Sequence, residues 1–93
     1  MGNINGGERL KIEFFGPFRE FGKEIDLEVN GEMGFEELVS RLEAEFGPAF
    51  RDRASKRNTS CILNDRPIAR RRLADTRFSA GDRVAFALIL GGG

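Results

Sequence analysis

The 93-residue sequence contains no histidine, tryptophan or tyrosine, and one cysteine, Cys61. Without histidine the commonest general base and metal ligand is missing, and a single thiol cannot assemble a thiolate-rich zinc or iron–sulfur site. An independent catalytic site is therefore not expected, nor a metal site. One cysteine also rules out an internal disulfide, which fits a reducing compartment and a cytoplasmic protein. No apolar run approaches the roughly 20 residues that cross a bilayer, and residues 1–7 offer neither a basic start nor an apolar stretch, so membrane spanning and secretion are not expected.

What is present suits one small domain. Hydrophobic residues make up 40% of the chain, nine of them Phe, and 32% are charged, enough for one core and a solvated surface. No internal repeat or interdomain linker is visible. Formal charge is zero, yet residues 1–50 hold five Lys/Arg against eleven Asp/Glu and residues 51–93 hold ten against four, a split of −6 and +6. Such asymmetry steers a complementary partner or is neutralised across the fold, and neutralisation is the simpler expectation.

Residues 1–8 carry, beyond Met1, only Ile4 as an apolar group and predict a flexible leader. Leu10, Ile12 and Phe14 alternate with Lys11 and Glu13, the period-2 pattern of a half-buried strand. After Gly16 and Pro17 the alternation resumes with Ile25, Leu27 and Val29 facing inward, and Phe18 and Phe21 in the connecting loop are expected to tuck under the sheet. Past Asn30 and Gly31 the period changes. Phe35, Leu38, Val39, Leu42 and Phe46 trace one face of a helix, with Gly34 as its N-cap, Glu36 and Glu37 in its first turn, and Gly47 and Pro48 as its stop.

Residues 48–58 predict a short helical turn followed by exposed chain. A short strand at 60–63, with Cys61 as a small core residue, ends in the turn residues Asn64, Asp65, Arg66 and Pro67. The run Arg70, Arg71, Arg72 reads as a solvated face, because no aromatic-rich basic motif accompanies it, and nucleic-acid binding is not expected. Residues 84–90 form a near-continuous apolar run, as in a strand buried on both faces at the centre of a sheet. The order strand, strand, helix, strand, strand defines an α+β domain over 9–90, with 91–93 as a flexible glycine tail.

Three successive glycines arise by chance about three times in ten thousand at average composition, so Gly91, Gly92 and Gly93 call for an explanation. Lacking Cβ, they let a chain thread a channel too narrow for side chains, and three extended residues reach at most about 10 Å. The useful group is then the Gly93 carboxylate, with Gly92, Gly91, Leu90 and Phe86 as candidate tail and partner contacts. A carboxylate is a poor electrophile, so it must first become a mixed anhydride, which implies ATP and a partner enzyme. A sulfur nucleophile would then give a thiocarboxylate and a lysine amine an isopeptide bond.

From residue 9 onward the sequence resembles the small ubiquitin-like sulfur carriers, most closely the small subunit of molybdopterin synthase. The resemblance rests on the first strand with the loop Phe18, Arg19, Glu20, Phe21, Gly22, on the helix entry Gly34 to Leu38, on Leu63 to Arg66, and on Gly81, Asp82, Arg83, Val84, Ala85 at the family's spacing from a terminal Gly-Gly pair. Leu88 and Ile89 stand where the family often has two prolines. The resemblance implies a β-grasp fold, a mixed sheet of four to five strands with one main helix on one face. It also implies an E1-like adenylating enzyme that activates Gly93, with ATP used by that partner and no resident cofactor. The large subunit of molybdopterin synthase would then receive the thiocarboxylated tail for molybdenum-cofactor synthesis. A ubiquitin-like modifier conjugated through Gly93, or a carrier for another pathway such as thiamine, uses the same activated tail.

Overall fold

The computed structural model describes residues 8–89. Alternation in Arg9–Phe14 (β1) buries Leu10, Ile12 and Phe14 completely, and β1 pairs antiparallel with Glu24–Glu28 (β2), setting Leu10 opposite Leu27 and Ile12 opposite Ile25. Arg83–Leu88 (β7) lies parallel to β1 on its other side, with Phe14 beside Phe86, and pairs antiparallel with Thr59–Leu63 (β4). A two-residue turn at Asn64 and Asp65, with φ of 50° and 70°, folds Arg66–Pro67 (β5) back onto β4. Asn and Asp are among the few side chains that tolerate this left-handed region, which a two-residue hairpin turn requires at both positions. The sheet order is β2-β1-β7-β4-β5, so the apolar run at the C-terminal end of the domain is central, as its composition predicts.

The expected helix spans Phe35–Phe46 (α1), with Gly34 at its N-cap, and buries Leu38, Val39 and Leu42 against the sheet. Gly47, at φ 95°, turns the chain into a second helix, Pro48–Ala54 (α2), longer than the single turn expected there. Phe50 on α2 is fully buried and lies 5.3–6.2 Å, centroid to centroid, from Phe14, Phe18, Phe21, Phe46 and Phe86, mostly edge-on. Edge-to-face arrangements set the positive ring rim against the negative ring face, which favours this geometry beyond area burial. Phe18 and Phe21 come from a 3-10 turn at Gly16–Phe21 and tuck beneath the sheet as expected.

Arg66 and Pro67, expected in the turn, form β5 instead, and two further strands have no counterpart in the sequence pattern. Glu32–Gly34 (β3) and Arg77–Ser79 (β6) pair antiparallel in a separate two-stranded sheet, setting Met33 beside Phe78, both buried. Three residues are too few to display an alternation, and their pairing spans more than forty positions, so only the folded chain reveals it.

Candidate tail-exit site

The strand that leads to the glycine tail is held differently at its two ends. At its start, Gly81 (φ 90°) makes the turn and donates its N–H to Arg9 O at 2.9 Å. The carboxylate of Asp82 accepts from Ser79 N at 2.8 Å and from Asn64 Nδ2 at 3.0 Å, while Asn64 Oδ1 accepts from Arg83 N at 2.9 Å. The Arg83 guanidinium lies 2.6 Å from Asp65 and 3.7 Å from Glu13, and these two carboxylates, Asp65 foremost, hold its pKa above the usual arginine value. Gly81, Asp82 and Arg83, which look in sequence like a motif tied to the tail, therefore act as a structural lock between β7, β1 and the β4–β5 turn.

Mid-strand, Val84, Ala85 and Phe86 are buried. This corrects the expectation for Phe86: its ring is fully buried within 5.6 Å of Phe18 and 5.3 Å of Phe50, so it anchors the strand and offers no surface to a partner. A continuous apolar run cannot tell a core anchor from a surface contact beside a tail. Leu90, Gly91, Gly92 and Gly93 lie outside the described residues.

The far end is open. Leu88 pairs with Thr59, and Ile89 then donates its N–H to Asn58 O at 2.7 Å while its side chain stays 53% exposed. Phe15, whose N–H binds Phe86 O at 2.9 Å, follows β1 at this same end of the sheet and is 43% exposed. Large apolar groups left in water at a strand's exit mark a surface that another molecule can cover. Beside Ile89 the chain from Pro67 to Leu73 forms two adjoining grooves, one including Arg57, Arg70 and Ile89 and the other Arg66, Arg71 and Arg72. In the sequence Arg57, the turn residue Arg66 and the run Arg70, Arg71, Arg72 stand apart, and only folding sets them along adjoining grooves.

Cys61 is buried, and that burial pushes its thiol up to about 12, so at neutral pH it is a protonated core group and not a nucleophile. Among the described residues no cluster of Cys, Asp and Glu could hold a metal ion, and no helix is long and apolar enough to cross a membrane.

A five-stranded mixed sheet with the parallel β1–β7 pair at its heart, one main helix across a face, and a chain that leaves from the central strand is the β-grasp of the ubiquitin-like sulfur carriers. Within that class the chain belongs to the ThiS family, which it matches over residues 12–93. It is similar to the HVO 2177 protein of Haloferax volcanii, with 23% identity, coverage of 100% of this chain and 94% of that one, and a TM-score of 0.74. The small archaeal modifier protein 1 of Methanosarcina acetivorans is 17% identical over 95% of this chain and 100% of that one, at a TM-score of 0.68. A matched chain in the complex of subunits 1 and 2 of molybdopterin-converting factor from Helicobacter pylori is 21% identical over 91% and 99% of the two chains, at a TM-score of 0.60. A search of curated proteins finds no match.

Proposed function

We propose that this chain carries sulfur as a thiocarboxylate on Gly93 and delivers it in molybdopterin synthesis. The observation that carries the proposal is the ThiS-family match running through residue 93, which supports reading Gly92 and Gly93 as the reactive glycine pair. An oxygen of the Gly93 carboxylate attacks the α-phosphorus of ATP on an E1-like adenylating enzyme, pyrophosphate leaves, and an acyl-adenylate results. Hydrosulfide supplied by a sulfur donor then attacks the carbonyl carbon, AMP leaves, and loss of the proton gives the thiocarboxylate. The chain's own part is to present the carboxylate on a slim tail, rooted in a strand that the Asp82 lock and the phenylalanine cluster keep in place. Likeness to the converting-factor complex supports a synthase large subunit as the acceptor of the tail.

The experiment is the intact mass of the protein isolated from its own host. One oxygen-to-sulfur replacement localised to Gly93, abolished when the adenylating enzyme is deleted, is the expected result. A free carboxylate under conditions where the host makes molybdenum cofactor would end the proposal, and the same spectrum establishes whether Gly93 is the last residue of the mature chain. Likeness to the archaeal modifier favours a second use of the same tail, conjugation to lysine. Gly-Gly remnants on host lysines that vanish when the gene is deleted would establish that use. Loss of molybdoenzyme activity in the deletion, without thiamine auxotrophy, separates the proposed pathway from the thiamine one.

A further inference from the structure

We infer that the arginine groove at Ile89, together with the groove adjoining it, is the docking surface for an acidic segment of the protein that activates the tail, an inference that rests on the carrier proposal above. Five arginines, Arg57, Arg66, Arg70, Arg71 and Arg72, line these grooves, and no Asp or Glu lines either one. Among the described residues none of the five makes an ion pair, whereas Arg51, Arg53, Arg77 and Arg83 all do. Of their side chains, Arg70 alone is engaged among the described residues, donating to the carbonyls of Lys56 at 3.2 Å and Ser55 at 3.0 Å. The floor between the rims is apolar, with Ile68 shared by both grooves and Leu63, Leu73 and Ile89 at the sides.

Geometry ties this surface to the tail. Ile89 lines one groove, and the chain passes from it directly into Leu90 and the glycines, so a protein that encloses the tail also covers the groove. Guanidinium forks without carboxylates of their own pair bidentately with carboxylates supplied from outside, and the apolar floor takes a neighbouring aliphatic side chain. A field of one sign around the exit also steers the encounter, so that the tail arrives at its site end-on. RNA fits the surface less well, because no aromatic side chain lines either groove to stack a base.

The test uses the full chain and the host's adenylating enzyme in ATP–pyrophosphate exchange, with the carrier as the varied substrate. Arg57→Glu with Arg72→Glu is expected to raise KM for the carrier by about tenfold or more with kcat little changed, because the chemistry at Gly93 is untouched. Wild-type KM should rise with salt between roughly 50 and 200 mM, and that dependence should flatten in the variant. Arg57→Ala with Arg72→Ala gives a milder version free of new charge, and Arg9→Glu, at the opposite end of the sheet, should leave KM unchanged. Unchanged KM in both groove variants, with wild type activated normally, overturns the docking surface alone. Failure to activate wild type removes the carrier proposal and this inference with it. Tight binding of a labelled single-stranded RNA oligonucleotide, lost in the groove variants while KM stays put, would reassign the surface to nucleic acid.

Discussion

Two groups of arginines, from the same basic half of the chain, do opposite things. Arg51, Arg53, Arg77 and Arg83 each reach a carboxylate of the acidic first half, namely Glu36 and Glu43, Glu20, Glu32 and Glu13, and so tie the two halves together across the helices and sheets. Arg57 and Arg70 line the groove that holds Ile89, while Arg66, Arg71 and Arg72 line the groove adjoining it, and none of the five meets a carboxylate among the described residues. The expected neutralisation therefore holds for one group and fails for the other. Charge near a core stabilises the fold only where a partner is within reach. Charge left without one is available for a second molecule.

Within the held group Arg53 sits over the phenylalanine cluster, and the largest expected effect in the molecule is there. Phe50→Ala should destabilise the domain by about 3–5 kcal/mol, because it removes a fully buried ring that touches both helices and the central strand and leaves a cavity between them. Urea denaturation checks this; a loss under about 1 kcal/mol would mean that the cluster closes over the gap. Arg53 covers the same cluster from outside, its guanidinium 6.0 Å from the Phe18 ring centroid and 5.9 Å from that of Phe21, and it pairs with Glu20. Arg53→Ala should cost about 1 kcal/mol, the sum of a part-exposed cation–π contact and a surface pair. It should do so with little loss of that cost in high salt if packing of the arginine stem dominates.

A smaller effect separates charge from packing in the same region. Arg51 Nη2 lies 2.8 Å from Glu36 and 3.0 Å from Ser40 Oγ, and Arg51 Nε lies 2.8 Å from Glu43, clamping α2 to α1. The hydrogen bond from Arg51, then its charge, holds the Glu36 carboxyl below its ordinary 4.5. A depressed carboxylate pKa stabilises the fold fully above the unfolded value and loses that contribution as pH falls through the folded one. Thermal melts should therefore show Tm falling below about pH 4.5. Arg51→Ala should lower Tm at neutral pH and make that acid-side fall shallower. An unchanged acid limb in the variant would mean that the Glu36 pair contributes nothing to stability.

Periodicity made much of this architecture legible. The spacing of Phe35, Leu38, Val39, Leu42 and Phe46 gave α1 to the residue, and Leu10, Ile12 and Phe14 gave β1, because in each element one face must be apolar and its repeat is fixed by backbone geometry. The lengths of β3 and β6 hid them: three residues show no repeat, and Met33 meets Phe78 only through the tertiary fold. Phe86 was legible as part of a buried strand but not as a core anchor, since a run of apolar residues does not say which of them faces the helices. At the tail exit, sequence spacing kept Arg57 apart from Arg70, and the return of the chain across β4 and β5 brought them to one groove.

The smallest expected effect tests the other side of the comparison. Arg72→Ala removes a side chain that makes no hydrogen bond or ion pair among the described residues, so it should change stability by less than about 0.5 kcal/mol. Its sign carries the information. Crowding five like charges around two adjoining grooves costs electrostatic energy that salt screens over about 8 Å near physiological strength. Arg72→Ala should therefore leave Tm unmoved in ordinary buffer and raise it slightly at low ionic strength, the opposite of what Arg53→Ala does at either. A fall in Tm as large as that of Arg53→Ala would show that Arg72 helps to hold the fold, and the division between holding and waiting arginines would collapse.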